Sequence, residues 1–213
     1  MRNKNTPIAV ESLPFIAVAA IISVMLFLLP WKAFAVVGLC VTVFIAFFFR
    51  NPQRRTPEDE HSVIAPADGV VIYLGKAHEE HLDMEMLKIS IFMSVFNVHI
   101  NRTPVSGRVV DAFYKKGKFL DVRDSRATFE NEQSGLVLET AGGVRMVVVQ
   151  VAGLIARRIV CYAKKGDSVR RGERYGLIRF GSRLDVYLPK DTDLRVAMGD
   201  QTVAGETILG IIS

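Results

Sequence analysis

The sequence predicts a β-dominated single domain, all-β or α+β, preceded by an N-terminal transmembrane helical hairpin. Three observations predict it. The first fifty of the 213 residues contain two long runs without charge. From Ser62 onward, short segments rich in Val, Ile, Phe and Tyr alternate with glycine-containing turns. Within that part, two pairs of local echoes read as repeated strand–turn–strand units of a barrel or sandwich.

The hairpin comes first. Residues 12–31 and 33–49 carry no charged side chain. At about 1.5 Å per residue each run covers roughly 25–30 Å, the thickness of a hydrocarbon core. Pro30-Trp31-Lys32 between them suits a tight turn, with Trp31 and Lys32 at an interface. Arg2 and Lys4 precede the first run, and Arg50, Arg54 and Arg55 follow the second. By the positive-inside tendency both outer ends face the cytoplasm. A cleaved signal peptide fits poorly, because the apolar stretch is too long, occurs twice and lacks a small-residue cleavage site. A shallow hairpin in one leaflet is the alternative to two full spans.

Charge and cysteine usage exclude other classes. Arg2, Lys4, Lys32 and Arg50 against Glu11 account for +3 of the formal charge of +5. The rest of the chain has 23 basic and 21 acidic residues, without a basic run interleaved with aromatics. That argues for a membrane flank and against nucleic acid. Cys40 lies in an apolar run and Cys161 in a strand-like run, so neither a disulfide nor a metal pair is expected.

Residues 51–213 form the β-rich domain. Leu136 to Thr140, Ala141-Gly142-Gly143 and Val144 to Val149 read as a hairpin whose glycines supply positive φ. Residues 79–87 read as a flexible loop or a short helix. Pro66-Ala67-Asp68-Gly69 is echoed by Pro104-Val105-Ser106-Gly107, and Gly166-Asp167 to Gly172-Glu173 by Gly199-Asp200 to Gly205-Glu206.

Three places carry candidate chemistry. Asp68, before Gly69, is by default turn chemistry. His99 follows an apolar strand and precedes a Pro turn, where an imidazole can act as general acid or base or be a buried, hydrogen-bonded histidine. His61, His78 and His81 lie in charged loop sequence, and no metal-ligand set accompanies them. Gly181-Ser182 lies between two strand-like runs; Gly before Ser leaves a carbonyl open to the neighbouring hydroxyl. It lacks the second Gly and the helix of a nucleophile elbow.

In combination and order these motifs are specific. Asp68-Gly69, then Val98-His99-Ile100-Asn101-Arg102-Thr103-Pro104, then Phe180-Gly181-Ser182-Arg183-Leu184-Asp185-Val186 resemble the phosphatidylserine decarboxylase proenzymes. The likeness covers the chain from Asn51 and includes the hydrophobic N-terminus. It is closest to the short pyruvoyl-dependent branch, with Gly-Ser where the better-known branch has Leu-Gly-Ser-Thr.

The resemblance implies self-cleavage at Gly181-Ser182 into a 1–181 β chain and a 182–213 α chain. Ser182 becomes a covalent pyruvoyl group, the cofactor, which forms a Schiff base with phosphatidylserine and takes up the electrons left by CO2. The product is phosphatidylethanolamine, and no metal is required. It further implies that Asp68 orients a histidine that activates the serine. Where the better-known branch has a second histidine before the Pro, this chain has Arg102, so His99 is expected to serve both self-cleavage and proton transfer. Arg102 and Arg183 are the candidates for anionic groups of the substrate. Partners are then a phospholipid in the cell membrane and the two chains of one precursor, with self-association left open. Rival readings are the same chemistry on a serine ether lipid and a membrane-anchored biotinyl-like adaptor without catalysis. The anchor makes a direct prediction: the protein stays in the pellet after carbonate extraction, and its release would rule out integral insertion.

Overall fold

The computed structural model describes residues 6–154, 158–179 and 181–212. Arg2 and Lys4 of the membrane flank, and Phe180 of the Gly-Ser motif, lie outside the described residues. The chain divides into two compact units, Arg2–Gln53 and Arg54–Ser213.

The first unit is an antiparallel pair of helices, α1 (Leu13–Leu28) and α2 (Lys32–Phe48). Leu29 is extended, as the residue before Pro30 must be, and this ends α1. The helices pack tightly at Gly38, where a β-carbon would sit 2.5 Å from the Ser23 hydroxyl. The two ends of the pair are tied together: Ala9 N–H donates to the Phe49 carbonyl at 2.8 Å and Asn51 N–H to the Pro7 carbonyl at 2.7 Å. The apolar side chains Val18, Ile22, Met25, Phe34, Val37 and Val43 point outward and are exposed. With its leading turn, the first helix spans Val10–Leu28 and is long and apolar enough to cross a membrane; the second is apolar but shorter.

The second unit holds fourteen strands among the described residues, β1 (Ser62–Ile64), β2 (Gly69–Glu79), β3 (Met84–Met93), β4 (Ile100–Arg102), β5 (Gly107–Lys115), β6 (Gln133–Glu139) and β7 (Arg145–Ala152), followed by β8 (Ile159–Cys161), β9 (Ser168–Val169), β10 (Arg174–Ile178), β11 (Ser182–Leu188), β12 (Asp193–Leu194), β13 (Gln201–Thr202) and β14 (Ile208–Ile211). One short helix, α3 (Ala127–Glu130), lies between β5 and β6. An eight-stranded sheet has the order β13-β2-β3-β11-β7-β6-β5-β9, and two three-stranded sheets have the orders β1-β14-β12 and β4-β10-β8. The fold is β-dominated, as the sequence predicts.

The echoes belong to a pervasive two-fold repeat. The large sheet reads symmetrically about the β11–β7 pair, so that β13-β2-β3 answers β9-β5-β6, and the two small sheets answer each other. Equivalent bonds repeat in detail. Gly199 N–H donates to the Val71 carbonyl and Gly166 N–H to that of Val109; Gly205 N–H reaches the Ala65 carbonyl and Gly172 N–H that of Thr103. All four glycines have positive φ, the conformation that makes glycine necessary at these corners. Even the bulges match, at Val71/Tyr73 in β2 and at Val109/Asp111 in β5. The halves differ in one connection: residues 80–83 turn tightly between β2 and β3, whereas residues 116–132 form a long excursion between β5 and β6.

Three local expectations are corrected. Residues 79–87 are neither loop nor helix, because β2 runs through Glu79 and β3 begins at Met84; Asp83, at φ 50°, closes the turn. His78 accordingly lies in β2 rather than in a loop, and His81, in the turn, stacks on the Phe113 ring at a centroid distance of 3.4 Å; both remain exposed. In the β6–β7 hairpin only Gly143 has positive φ.

Both faces of the large sheet are covered. Ile89, Ile91, Met93, Leu138, Val148, Leu184 and Val186 build the main core on one face, and Val147, Val149, Val151 and Tyr187 a second cluster on the other. Leu138, fully buried in the main core, provides a test of this packing. Leu138→Ala should lower stability by about 2–5 kcal/mol through lost burial and a residual cavity, read as a lower unfolding midpoint of the full chain in detergent. An unchanged midpoint would contradict the assigned core.

Candidate active site

Ser182 is the first residue of β11, a central strand, so its backbone position is set by both neighbours. It lies opposite Met93 of β3 and Ala152 of β7. Its side chain is fully buried, and the hydroxyl donates to the Met93 thioether sulfur at 3.4 Å. Thioether is a weak acceptor, so the hydroxyl is held lightly. The preceding Gly181 has φ of +60°. A β-carbon there would meet nothing within 4 Å, so the need for glycine is conformational rather than steric.

Around Met93 the core is polar. Asn101, of β4, donates from its side-chain nitrogen to the same sulfur at 3.8 Å and accepts from Gln150 Nε2 at 2.8 Å. Ser182, Asn101 and Gln150 are all completely buried. Gln150 Oε1 makes no hydrogen bond. A buried polar group left short of a partner costs about 1–3 kcal/mol, and Gln150 Oε1 is one, in the polar cluster that reaches Ser182 through the Met93 sulfur.

His99 is carried by the loop that leaves β3 at Met93. Asn97 braces that loop, its Oδ1 accepting from the Ser94 backbone N–H at 2.8 Å and from the Ser94 hydroxyl at 2.7 Å. His99 is buried, and its Nδ1 lies 2.9 Å from the Asn97 carbonyl oxygen. A carbonyl can only accept, so Nδ1 carries the proton and Nε2 is left as the basic nitrogen.

Asp68 lies in the turn before β2, whose Val70 pairs with Phe92 of β3. Asp68 and Ser182 therefore flank the same end of β3. Both oxygens of the Asp68 carboxylate accept from Arg54 Nη2, at 3.0 and 2.8 Å, and one also accepts the Ala204 N–H at 2.7 Å. In the repeat its place is taken by Ser106, whose hydroxyl accepts the Arg171 N–H at 3.0 Å. The bond to Ala204 is thus turn architecture common to both halves, and the Arg54 pair is what distinguishes the first half.

Arg102 belongs to this Asp68 group. Its guanidinium donates to the Gly172 carbonyl at 2.9 Å, and burial, then the neighbouring Arg54, disfavour its charged form. Arg183 lies elsewhere. Side chains alternate along β11, so that of Arg183 leaves on the face opposite Ser182. There it pairs with Asp185 (2.8 Å) and donates to the Val122 carbonyl (2.6 Å) and the Thr128 hydroxyl (2.8 Å). Lys88 of β3 reaches Asp185 at 3.0 Å. The geometry gives Arg183 a clamping role, locking β11 to β3 and to the 116–132 excursion.

Sequence reasoning missed Arg54, read as a membrane-flanking charge, together with Met93, Asn101 and Gln150, which look like ordinary strand residues. Asn101 stood inside the His99 motif, and its buried position is the signal that only the fold supplies.

The clamp yields a prediction. Burial opposes ionisation of Asp185, but Arg183 and Lys88 beside it prevail and hold its carboxyl below the usual aspartate range. With the folded value depressed, its contribution is complete above the unfolded value of about 3.9 and is lost as pH falls below that. Asp185→Asn leaves two buried cations uncompensated and should cost about 3–5 kcal/mol at neutral pH, while removing Asp185's share of the acid-side loss of stability. A melting temperature equal to that of the parent chain at pH 7 would contradict the clamp.

Comparison with known proteins agrees with the motifs. The Phosphatidylserine decarboxylase family profile matches residues 41–210. The chain is 76% identical to the phosphatidylserine decarboxylase proenzyme of Geotalea uraniireducens (strain Rf4), with 100% of both chains covered. It is 69% identical to the proenzyme of that name from Geobacter sulfurreducens, again across 100% of both. With the proenzyme from Syntrophotalea carbinolica the identity is 53% over the same full coverage. The chain therefore belongs to the phosphatidylserine decarboxylase family.

Proposed function

We propose that this protein is a membrane-bound phosphatidylserine decarboxylase that makes its own pyruvoyl group by cleaving Gly181-Ser182. The observation that carries the reading is Ser182 itself: a buried, weakly bonded hydroxyl on the first residue of a central strand, preceded by glycine in a left-handed conformation.

The steps of self-cleavage balance on the chain's own atoms. The Ser182 hydroxyl adds to the Gly181 carbonyl carbon; the C–N bond breaks, and the hydroxyl proton is transferred to the nitrogen, giving an ester. Loss of the Ser182 α-proton with cleavage of the Cβ–O bond frees Gly181 as a carboxylate and leaves dehydroalanine. One water then enters and ammonia leaves. His99, with Nδ1–H directed to Asn97, offers Nε2 as the base for the hydroxyl proton and later as a proton donor to substrate. Asp68, engaged by Arg54 and Ala204, acts as a positioning group at the same end of the sheet.

The surroundings suit such a group: Ser182 shares the Met93 sulfur with Asn101, and Gln150, bonded to Asn101, carries an unbonded buried oxygen. The pyruvoyl ketone supplies an electrophile for the substrate amine and a sink for the electron pair left by CO2. Arg102, beside Arg54, is the residue for the substrate's phosphate or carboxylate. The apolar helix pair, residues 1–50 on this reading, holds the catalytic domain of 51–213 at the cytoplasmic face of the cell membrane, where the lipid resides.

Cleavage need not separate the two chains. β11 remains paired with β3 and β7, β13 with β2, and β14 with β1.

Two measurements test the reading. Vesicles containing carboxyl-labelled phosphatidylserine should release labelled CO2 in the presence of the purified protein. A parallel vesicle with a serine ether lipid identifies the preferred backbone, and no release from either would reject the activity. His99→Ala should slow appearance of the shorter chain by roughly 10²–10⁴-fold, and processing at the parent rate would remove His99 from self-cleavage.

A further inference from the structure

We infer that Gly153 is a positioning residue for self-cleavage, the bare backbone against which the carbonyl of the scissile peptide is held. The inference rests on the reading above, that the chain cleaves between Gly181 and Ser182.

The register leads directly to it. Ser182 pairs with Ala152 in the β11–β7 ladder, and one step beyond that pair Gly181 meets Gly153. A β-carbon on Gly153 would lie well inside 3.0 Å of the Gly181 carbonyl oxygen, a distance real β-carbons essentially never show, and 3.2 Å from the carbonyl carbon. The atom in the way is backbone, so no side-chain rotation relieves it. The two glycines are needed for opposite reasons. Gly181 is required for its φ of +60° in open space; Gly153 is required for the space itself.

The chemistry makes this contact matter. Addition of the Ser182 hydroxyl requires the Gly181 carbonyl to present one face to the oxygen, and a carbonyl free to turn would present it only part of the time. A neighbouring backbone α-carbon in contact with the oxygen fixes the orientation, and its C–H groups are weak donors to an oxygen that gains charge as the bond forms. Gly153 is itself well placed. Ala152, just before it, is held at both polar atoms, its carbonyl by Asn131 at 2.8 Å and its N–H by the Glu132 carbonyl at 2.9 Å. The 116–132 excursion, absent from the other half, thus braces the segment against which the scissile carbonyl is held. Its Val122 lies 3.1 Å from where a Gly153 β-carbon would be.

The experiment uses the full chain in detergent, with time-resolved intact mass as the readout. Gly153→Ala is expected to fold and to produce the shorter chain at least tenfold more slowly than the parent. Hydroxylamine cleaves an accumulated ester but not an amide, so the variant should stay whole in its presence if the block precedes ester formation. A folded Gly153→Ala chain that processes at the parent rate, or is cut by hydroxylamine, overturns the inference. Gly153→Ala combined with Val122→Ala removes the side-chain crowding and keeps the carbonyl overlap; it too should remain whole, and parent-rate processing would overturn the inference. Independently of how either variant folds, a non-cleaving Ser182→Ala chain with a ¹³C-labelled Gly181 carbonyl should show a through-space cross-peak to the Gly153 α-protons; its absence overturns the inference. If the parent chain itself does not process, it is the self-cleavage reading that fails, and Gly153 is not at issue.

Discussion

Everything about the site depends on β11 being clamped between β3 and β7. A serine at the start of an edge strand would sit on a fraying backbone, whereas Ser182 is fixed by ladders on both sides and by the ion cluster one residue on. Arg183, Asp185 and Lys88 cost desolvation, and a buried ion pair is poor evidence of stability for its own sake. Their geometric effect is specific: one Asp185 carboxylate joins β11 to β3, and Arg183 joins both to residues 122 and 128. That register places the Gly181 carbonyl on Gly153. It also leaves the strand anchored if the chain is cut at its first residue.

The two-fold repeat explains how such a strand comes to lie at the centre. Matched halves put their equivalent strands β11 and β7 side by side at the axis, each shielded by three further strands. Two duplicated turns, at Gly166–Gly172 and Gly199–Gly205, tie each half with the same backbone bonds. The site arises where the symmetry is broken. Asp68 with Arg54 replaces the neutral Ser106 of the other half, and the long 116–132 excursion replaces a tight turn.

The legible part of the sequence was whatever is periodic or punctuated. Alternation in β6 and β7, the positive-φ glycine corners and the two charge-free helices all follow from local physics, and so does the β-dominated class. The segment around Glu79–Met84 was illegible because its polar strand ends lack apolar alternation, and pairing along β2 and β3 overrides that. Ser182, His99 and Asp68 could be singled out through their joint resemblance to a family, not through any one motif. Their surroundings could not. Gly153 is one glycine among sixteen until register sets it against Gly181. Arg183 looked available to a substrate because it adjoins Ser182 in sequence, yet strand alternation sends it to the opposite face.

On the proposed function, Ser182 does not survive as serine in the working protein. Intact mass of the purified full-length protein tests it most directly. Two chains in equal amount are expected, the shorter one beginning at position 182 with its amino group replaced by a ketone. A single, enzymatically active 23.7 kDa chain with Ser182 unchanged would contradict it.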